Sequence, residues 1–149
     1  MDTLEYYYTL QREARSRTIE ALNRRAIRTG KVATWNKVTL CSILGKEIGD
    51  ACNVAATEWR KYRKPESHQD FDVDWTALAQ KNFKDPDHFN LAIWQEVNGK
   101  QTLVALALGN PSHGRKYMTV KWVERFFAYT PVAGSALLAI LSCAESMRC

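Results

Sequence analysis

The sequence has few of the residues that metal sites and disulfide frameworks require. Its 149 residues include 4 cysteines and 3 histidines, and no two cysteines form a CxxC pair. No histidine lies near a cysteine at the spacing of a zinc site. We therefore expect no bound metal, and we interpret Cys41 and Cys52 as small buried thiols on the apolar side of a helix.

Long apolar runs are also missing. No stretch approaches the ~20 apolar residues of a membrane-spanning helix, and the first residues, MDTLEYYYTL, contain neither a basic start nor an apolar signal core. With 46% apolar and 25% charged residues, the composition is typical of a folded domain. The sequence therefore predicts a globular, cytoplasmic protein with no membrane partner.

Charge is distributed unevenly along the chain. Residues 1–64 hold 13 Lys and Arg against 7 Asp and Glu, whereas residues 65–149 hold 8 against 9. The candidate partner-binding residues in the basic half are Arg12, Arg15, Arg24, Arg25 and Arg28. Clustered basic side chains attract nucleic acid or an acidic protein. A solvated helix face has the same pattern, so all three interpretations stay open.

Two helices are predicted for the basic half. Neither Pro nor Gly occurs before Gly30, and apolar residues recur at spacings of three and four, so residues 3–29 are predicted to form one helix that ends at this glycine. A second apolar stripe predicts another helix over residues 35–63. Together they would form a basic αα-hairpin over residues 1–64.

The second half changes to the alternating pattern of strands. The predicted elements are a short helix at 75–81, strands at 91–97, 101–108 and 116–127, and a final helix at 132–147. Asn98-Gly99 separates the first two strands and is the strongest short signal of a hairpin. The sequence thus predicts an α+β fold, in which an αα-hairpin accompanies a three-stranded antiparallel meander and a C-terminal helix, with residues 65–149 as the core.

Several segments of this second half resemble GNAT-type N-acetyltransferases. The sharpest match is Ala133-Gly134-Ser135-Ala136-Leu137-Leu138, at the start of the final helix. The other matching segments are Asp74-Trp75, Asp85-Pro86-Asp87-His88-Phe89, Leu91-Ala92-Ile93-Trp94, Leu106-Ala107-Leu108-Gly109 and Pro111-Ser112-His113-Gly114-Arg115. The resemblance covers residues 70–147, and these segments are similar to small GNAT-like proteins of plasmids and other mobile elements.

The resemblance implies an acetyl-CoA site at the start of the final helix. In this family a glycine-containing loop offers backbone N–H groups to the cofactor pyrophosphate, at a helix end whose partial positive charge favours anions. The implied cofactor-binding residues are Ala133, Gly134, Ser135 and Ala136. Tyr129 and Val132 occupy the positions of the family's Gln or Arg and of its first glycine, so this loop departs from the family pattern at both.

Glu124, near the end of the third predicted strand, is the implied general base that would take a proton from the acceptor amine. A salt-bridge residue at a strand end would have the same position. The family continues with further strands and a helix, which carry a thiolate-protonating tyrosine and one wall of the cofactor groove, whereas Arg148 and Cys149 alone follow here. The resemblance therefore implies an acetyltransferase ancestry and leaves catalysis open.

Two non-enzymatic functions are alternatives to acetyl transfer. The first is a binding or inhibitor protein of phage or mobile-element origin, which keeps the scaffold and acts on a host protein complex. The second is nucleic-acid binding through the basic N-terminal helices. The sheet edge left open after the third strand also predicts pairing with a protein partner or with a second copy of the chain.

Overall fold

The computed structural model describes residues 3–30, 37–59, 61, 74–83, 87–112, 118–126, 132 and 135–147. Within these residues, helices and one four-stranded antiparallel sheet give the α+β fold that the sequence predicts. The elements in chain order are α1 (Thr3–Thr29), β1 (Val38–Cys41), α2 (Ala51–Val54, continued by the π-helical segment Ala55–Trp59), α3 (Trp75–Phe83), β2 (Phe89–Val97), β3 (Lys100–Pro111), β4 (Met118–Arg125) and α4 (Ala136–Ser146).

The predicted αα-hairpin over residues 1–64 is wrong. Its first helix forms as expected, and Gly30 follows it with a φ of 73°, a left-handed conformation that glycine adopts at little cost. The segment 35–63 does not form a second helix, because Val38–Cys41 is an edge strand paired antiparallel with β2. The sheet formed by the described residues therefore has four strands rather than three.

The apolar stripe that predicted the second helix combines side chains from two different elements. Cys41 is buried at the end of β1, whereas Cys52 and Trp59 are buried in the helical segment that follows. That segment begins at Asp50, whose carboxylate accepts a hydrogen bond from the Asn53 N–H at 3.1 Å. This cap satisfies one of the unpaired donors of the first turn and fixes where the helix starts.

The sheet has the order β1-β2-β3-β4, so β1 and β4 are its edges. Asn98 and Gly99 join β2 to β3 with positive φ angles of 53° and 77°, as a two-residue type I′ turn requires. The hairpin predicted from this dipeptide is confirmed. Within the described residues, no strand pairs with the outer edge of β4.

Helices cover both faces of the sheet. On one face, α1 and α4 bury Leu22, Ala26, Ala139, Ile140 and Cys143 against Phe89, Leu91 and Ile93 of β2. On the other, α2 and α3 bury Cys52, Trp59, Trp75 and Ala79 against Trp94, Leu106 and Leu108. We call these the α1/α4 face and the α2/α3 face. Because α1 and β1 belong to the same cores as the later elements, residues from both halves of the chain form one packed unit.

The described cysteines, Cys41, Cys52 and Cys143, are free and buried. Burial raises the pKa of each thiol to about 11, which keeps the thiols protonated and unreactive at neutral pH. The interpretation of Cys41 and Cys52 as buried thiols is confirmed, although Cys41 lies on a strand rather than on a helix.

The pairing of β3 with β4 contains a β-bulge at Lys121. Leu108 pairs with Trp122 and the next residue, Gly109, pairs with Val120, which leaves Lys121 as an extra residue on β4. A Cβ atom at Gly109 would collide with the facing backbone of β4. Glycine at this position therefore allows the two strands to approach each other closely.

We expect Gly109→Ala to lower the free energy of unfolding by about 3 kcal/mol, because the added methyl group forces two paired backbones apart. The control is Gly30→Ala, where the left-handed φ costs about 1 kcal/mol but no heavy atom lies within 4 Å of the added carbon. Equilibrium unfolding in urea measures both losses. Equal losses for the two variants would show that collision with β4 is not the cause.

Candidate functional site

The implied acetyl-CoA loop is described only in part. Ala133 and Gly134 lie outside the described residues, whereas Ser135 and Ala136 form the start of α4. The Ser135 hydroxyl makes no hydrogen bond that caps the helix, and Ala136 is buried in the core of the α1/α4 face. The partly exposed Ser135 hydroxyl is therefore the one polar side chain in the described half of the loop.

Two backbone N–H groups near the start of α4 already have acceptors within the chain. The Val132 N–H donates to the side-chain oxygen of Gln95, a buried residue of β2, at 3.0 Å. The Ser135 N–H donates to the Val132 carbonyl at 2.9 Å. A pyrophosphate site needs several free N–H donors, so neither of these two contributes to one in this arrangement.

Gln95 is a residue whose role the sequence pattern does not reveal. It follows the apolar run of β2 and has the appearance of the first solvent-facing residue after a strand core. The structure buries it, and a buried amide must have hydrogen-bond partners. By accepting from Val132, Gln95 ties the segment that enters α4 to the sheet.

The implied general base lies away from the implied cofactor residues. Glu124 pairs with Leu106 on the α2/α3 face, and its carboxylate accepts a hydrogen bond from the Trp75 indole N–H at 2.6 Å. Ser135 and Ala136 begin a helix that packs on the α1/α4 face. The structure thus places Glu124 and the described part of the loop on opposite faces of the sheet, whereas acetyl transfer needs base and cofactor side by side.

The five candidate partner-binding arginines do not share one surface. Arg12 and Arg15 line a groove of about 340 Å³ between α1 and β1. Successive residues of a helix are rotated by about 100°, so Arg24, Arg25 and Arg28, which are separated by three or four residues or are adjacent, lie on another side of α1. The arginines that the sequence groups together are therefore divided between two sides of α1.

The outer side of α1 carries charges of both signs. Arg17 lies 3.4 Å from Glu13, and Arg24 lies 3.8 Å from Glu20. These exposed pairs at i and i+4 contribute little to stability, but they reduce the positive potential along that side. Continuous attraction for a nucleic-acid backbone is correspondingly weakened.

The contacts of Arg15 indicate a structural role. It is partly buried, its Nε donates to the Gln11 carbonyl at 3.2 Å, and its Nη2 donates to the Gln11 side-chain oxygen at 3.4 Å. Burial lowers the pKa of its guanidinium. Gln11 in turn donates to the His88 carbonyl at 3.0 Å, so Arg15 supports the contact between α1 and the start of β2.

The outer side of α4 carries three exposed leucines, which Glu145 follows in the last turn. Leu137, Leu138 and Leu141 are 57%, 38% and 50% exposed, whereas Ala139 and Ile140 are buried against the core. The three leucines are neighbours, because residues three or four apart lie on one side of a helix. Single exposed apolar side chains are common, whereas three neighbouring exposed leucines form an apolar patch of the kind found at interaction sites.

Strand β4 adjoins this surface. Val123 pairs with Ala107 of the α1/α4 core, so it lies on the same face of the sheet as α4, and it is 44% exposed. We call Val123, Leu137, Leu138 and Leu141 the α4 surface. In the described part of the chain, the adjacent edge of β4 is unpaired, and such an edge accepts another strand readily.

We expect Gln95→Leu to lower the free energy of unfolding by about 2 kcal/mol, because the buried Val132 N–H loses its acceptor. Gln101→Leu makes the same change at an exposed position of β3 and should alter stability by less than about 0.5 kcal/mol. Thermal or urea unfolding of both variants measures the difference. Equal stabilities would refute the anchoring role of Gln95.

Among the residues that the structure describes, no group of three or more His, Cys, Asp and Glu side chains is arranged to hold a metal ion. No helix in the same residues is long and apolar enough to cross a membrane. No protein-family model, curated protein or solved structure matches this chain significantly.

Proposed function

We propose that this protein is a non-catalytic binding module, and that a protein partner covers the α4 surface and the open edge of β4. The observation that carries this proposal is the exposure of three leucines on a helix whose opposite side is already buried. Completing the burial of three half-exposed leucines would contribute about 3 kcal/mol. If a strand of the partner pairs with the β4 edge, its backbone hydrogen bonds would fix the direction and register of that strand.

Acetyl transfer has less support from the described residues. Glu124 is held by Trp75 on one face of the sheet, while the described loop residues lie on the other. The N–H groups of Val132 and Ser135 are used within the chain. One fold can carry unrelated functions, so an acetyltransferase ancestry is compatible with a protein that keeps only the scaffold. Catalysis would require the general base and the cofactor-binding residues to lie together.

The resemblance to mobile-element proteins favours a cytoplasmic host protein as the partner. Apolar side chains beside a free strand edge favour a protein over a nucleic acid, because nucleic-acid sites depend on positive charge. The mixed charges along the outer side of α1 also favour a protein over a nucleic acid as the partner. A second copy of the chain is the other protein that could occupy this surface.

The double variant Leu137→Glu/Leu141→Glu is expected to remain folded, because both side chains are exposed, and to lose its partner, because two charges would have to be buried in the interface. Sedimentation velocity detects a second copy. Affinity capture from host cells, followed by mass spectrometry, detects a different protein.

The matched control is Asn23→Glu/Ile27→Glu, which places two charges four residues apart on exposed positions of α1. The control should bind like the unmodified protein. The proposal would be contradicted if the unmodified protein is monomeric and captures the same proteins as the Leu137→Glu/Leu141→Glu variant.

A further inference from the structure

A cleft of about 440 Å³ opens on the α2/α3 face, at the end of the sheet where β2 begins and β3 ends. Its polar lining residues come from four separate places, namely Lys81 of α3, His88 before β2, Asn110 of β3 and Lys121 of β4. Small-molecule sites have volumes of about 300–1,000 Å³ and combine an apolar lining with a few convergent polar groups. This cleft has both properties.

The β-bulge on β4 directs two consecutive side chains into the cleft. Neighbouring side chains of a regular strand point to opposite faces, so Lys121 and Trp122 would normally be separated by the sheet. Because the bulge places both residues opposite Leu108, both line the cleft together with that leucine. Bulges recur beside functional sites, where they redirect a side chain. Gly109, which the close approach of the strands requires, therefore also shapes this cleft.

The cleft combines positive charge with a flat aromatic wall. Lys81 and Lys121 supply two ammonium groups, and the described lining contains no carboxylate. With its amide oxygen turned toward β4, Asn110 accepts a hydrogen bond from Lys121 Nζ at 3.1 Å, which holds that ammonium in place. Trp122 is 45% exposed and offers a ring face for stacking.

Two carboxylates lie close in sequence to the described lining residues, and one of them, Asp87, lies beside the cleft-lining His88. Asp87 lies 4.0 Å from the Nε2 atom of His88, and Glu124 accepts the hydrogen bond from Trp75 at 2.6 Å. Neither of them lines the cleft. Two ammonium groups line the cleft and outnumber the Asp87 carboxylate beside it, so the local charge favours an anion.

We propose that this cleft binds a phosphate group carried on an aromatic ring system, as in a nucleoside monophosphate. Lys81 and Lys121 hold the phosphate through charge-assisted hydrogen bonds, and the base stacks on Trp122. The cleft lies on the face of the sheet opposite the α4 surface. It is therefore a small-ligand site separate from the protein-binding surface proposed above.

Isothermal titration calorimetry with adenosine monophosphate tests this site. We expect a dissociation constant below about 1 mM, with inorganic phosphate and adenosine each bound at least about tenfold more weakly. Lys81→Gln and Lys121→Gln should each weaken binding about tenfold by removing a charge-assisted hydrogen bond. Trp122→Ala should also weaken it about tenfold by removing the stacking surface.

Lys100→Gln is the matched control, because it removes the same charge from an exposed position at the opposite end of β3. It should leave the dissociation constant within about twofold of the unmodified value. All four substituted side chains are exposed, and circular dichroism checks that each variant folds. Absence of binding at about 1 mM, or an equal loss in the Lys100→Gln variant, would overturn the proposal.

A short oligonucleotide with a 5′-phosphate distinguishes two sources of the same chemistry. Tighter binding than adenosine monophosphate would identify the end of a nucleic-acid strand as the ligand, and weaker binding would identify a free nucleotide. Both results support a phosphate site. If the oligonucleotide binds more tightly than adenosine monophosphate, equal binding with and without its terminal phosphate would refute the phosphate site.

Discussion

Burial on both sides of β2 and β3 is the constraint on which the rest of the structure depends. Side chains such as Ile93 and Leu106 are fully buried and lie on opposite faces of the sheet, so neither face can be left in water. Each face therefore requires a helical layer, which α1 and α4 provide on one side and α2 and α3 on the other. The edge strands are less completely buried, since Trp122 and Val123 of β4 are exposed and, among the described strands, each edge strand pairs on one side only.

Both proposed sites include exposed residues of the edge strand β4. Val123 belongs to the α4 surface, and its neighbour Trp122 lines the cleft on the other face of the sheet. A protein partner and a small anion could thus be bound on opposite faces without competing for the same side chains. The bulge at Lys121 makes this division possible, because it adds a polar side chain to the cleft and takes none from the α1/α4 face.

Elements with strong local signals are those that the sequence predicts correctly. The long helix before Gly30, the Asn98-Gly99 hairpin and the helix that starts at Trp75 depend on spacing, turn chemistry and capping, all of which act over a few residues. Strand β1 was missed because it has only four residues, Val38–Cys41. It is stabilised by pairing with β2, in which Val38 lies opposite Gln95, and such a distant partner leaves no trace in the local pattern.

The sequence by itself determined the class of the fold, most of the local elements and the residue types available for chemistry. The tertiary structure alone decided which of those residues meet. It separated Glu124 from the start of α4, divided the arginines between two sides of α1, and joined Lys81, Asn110 and Lys121 in one cleft. The physical reason is that backbone periodicity fixes conformation within a segment, whereas strand register, a one-residue bulge and burial on two faces fix which segments come together.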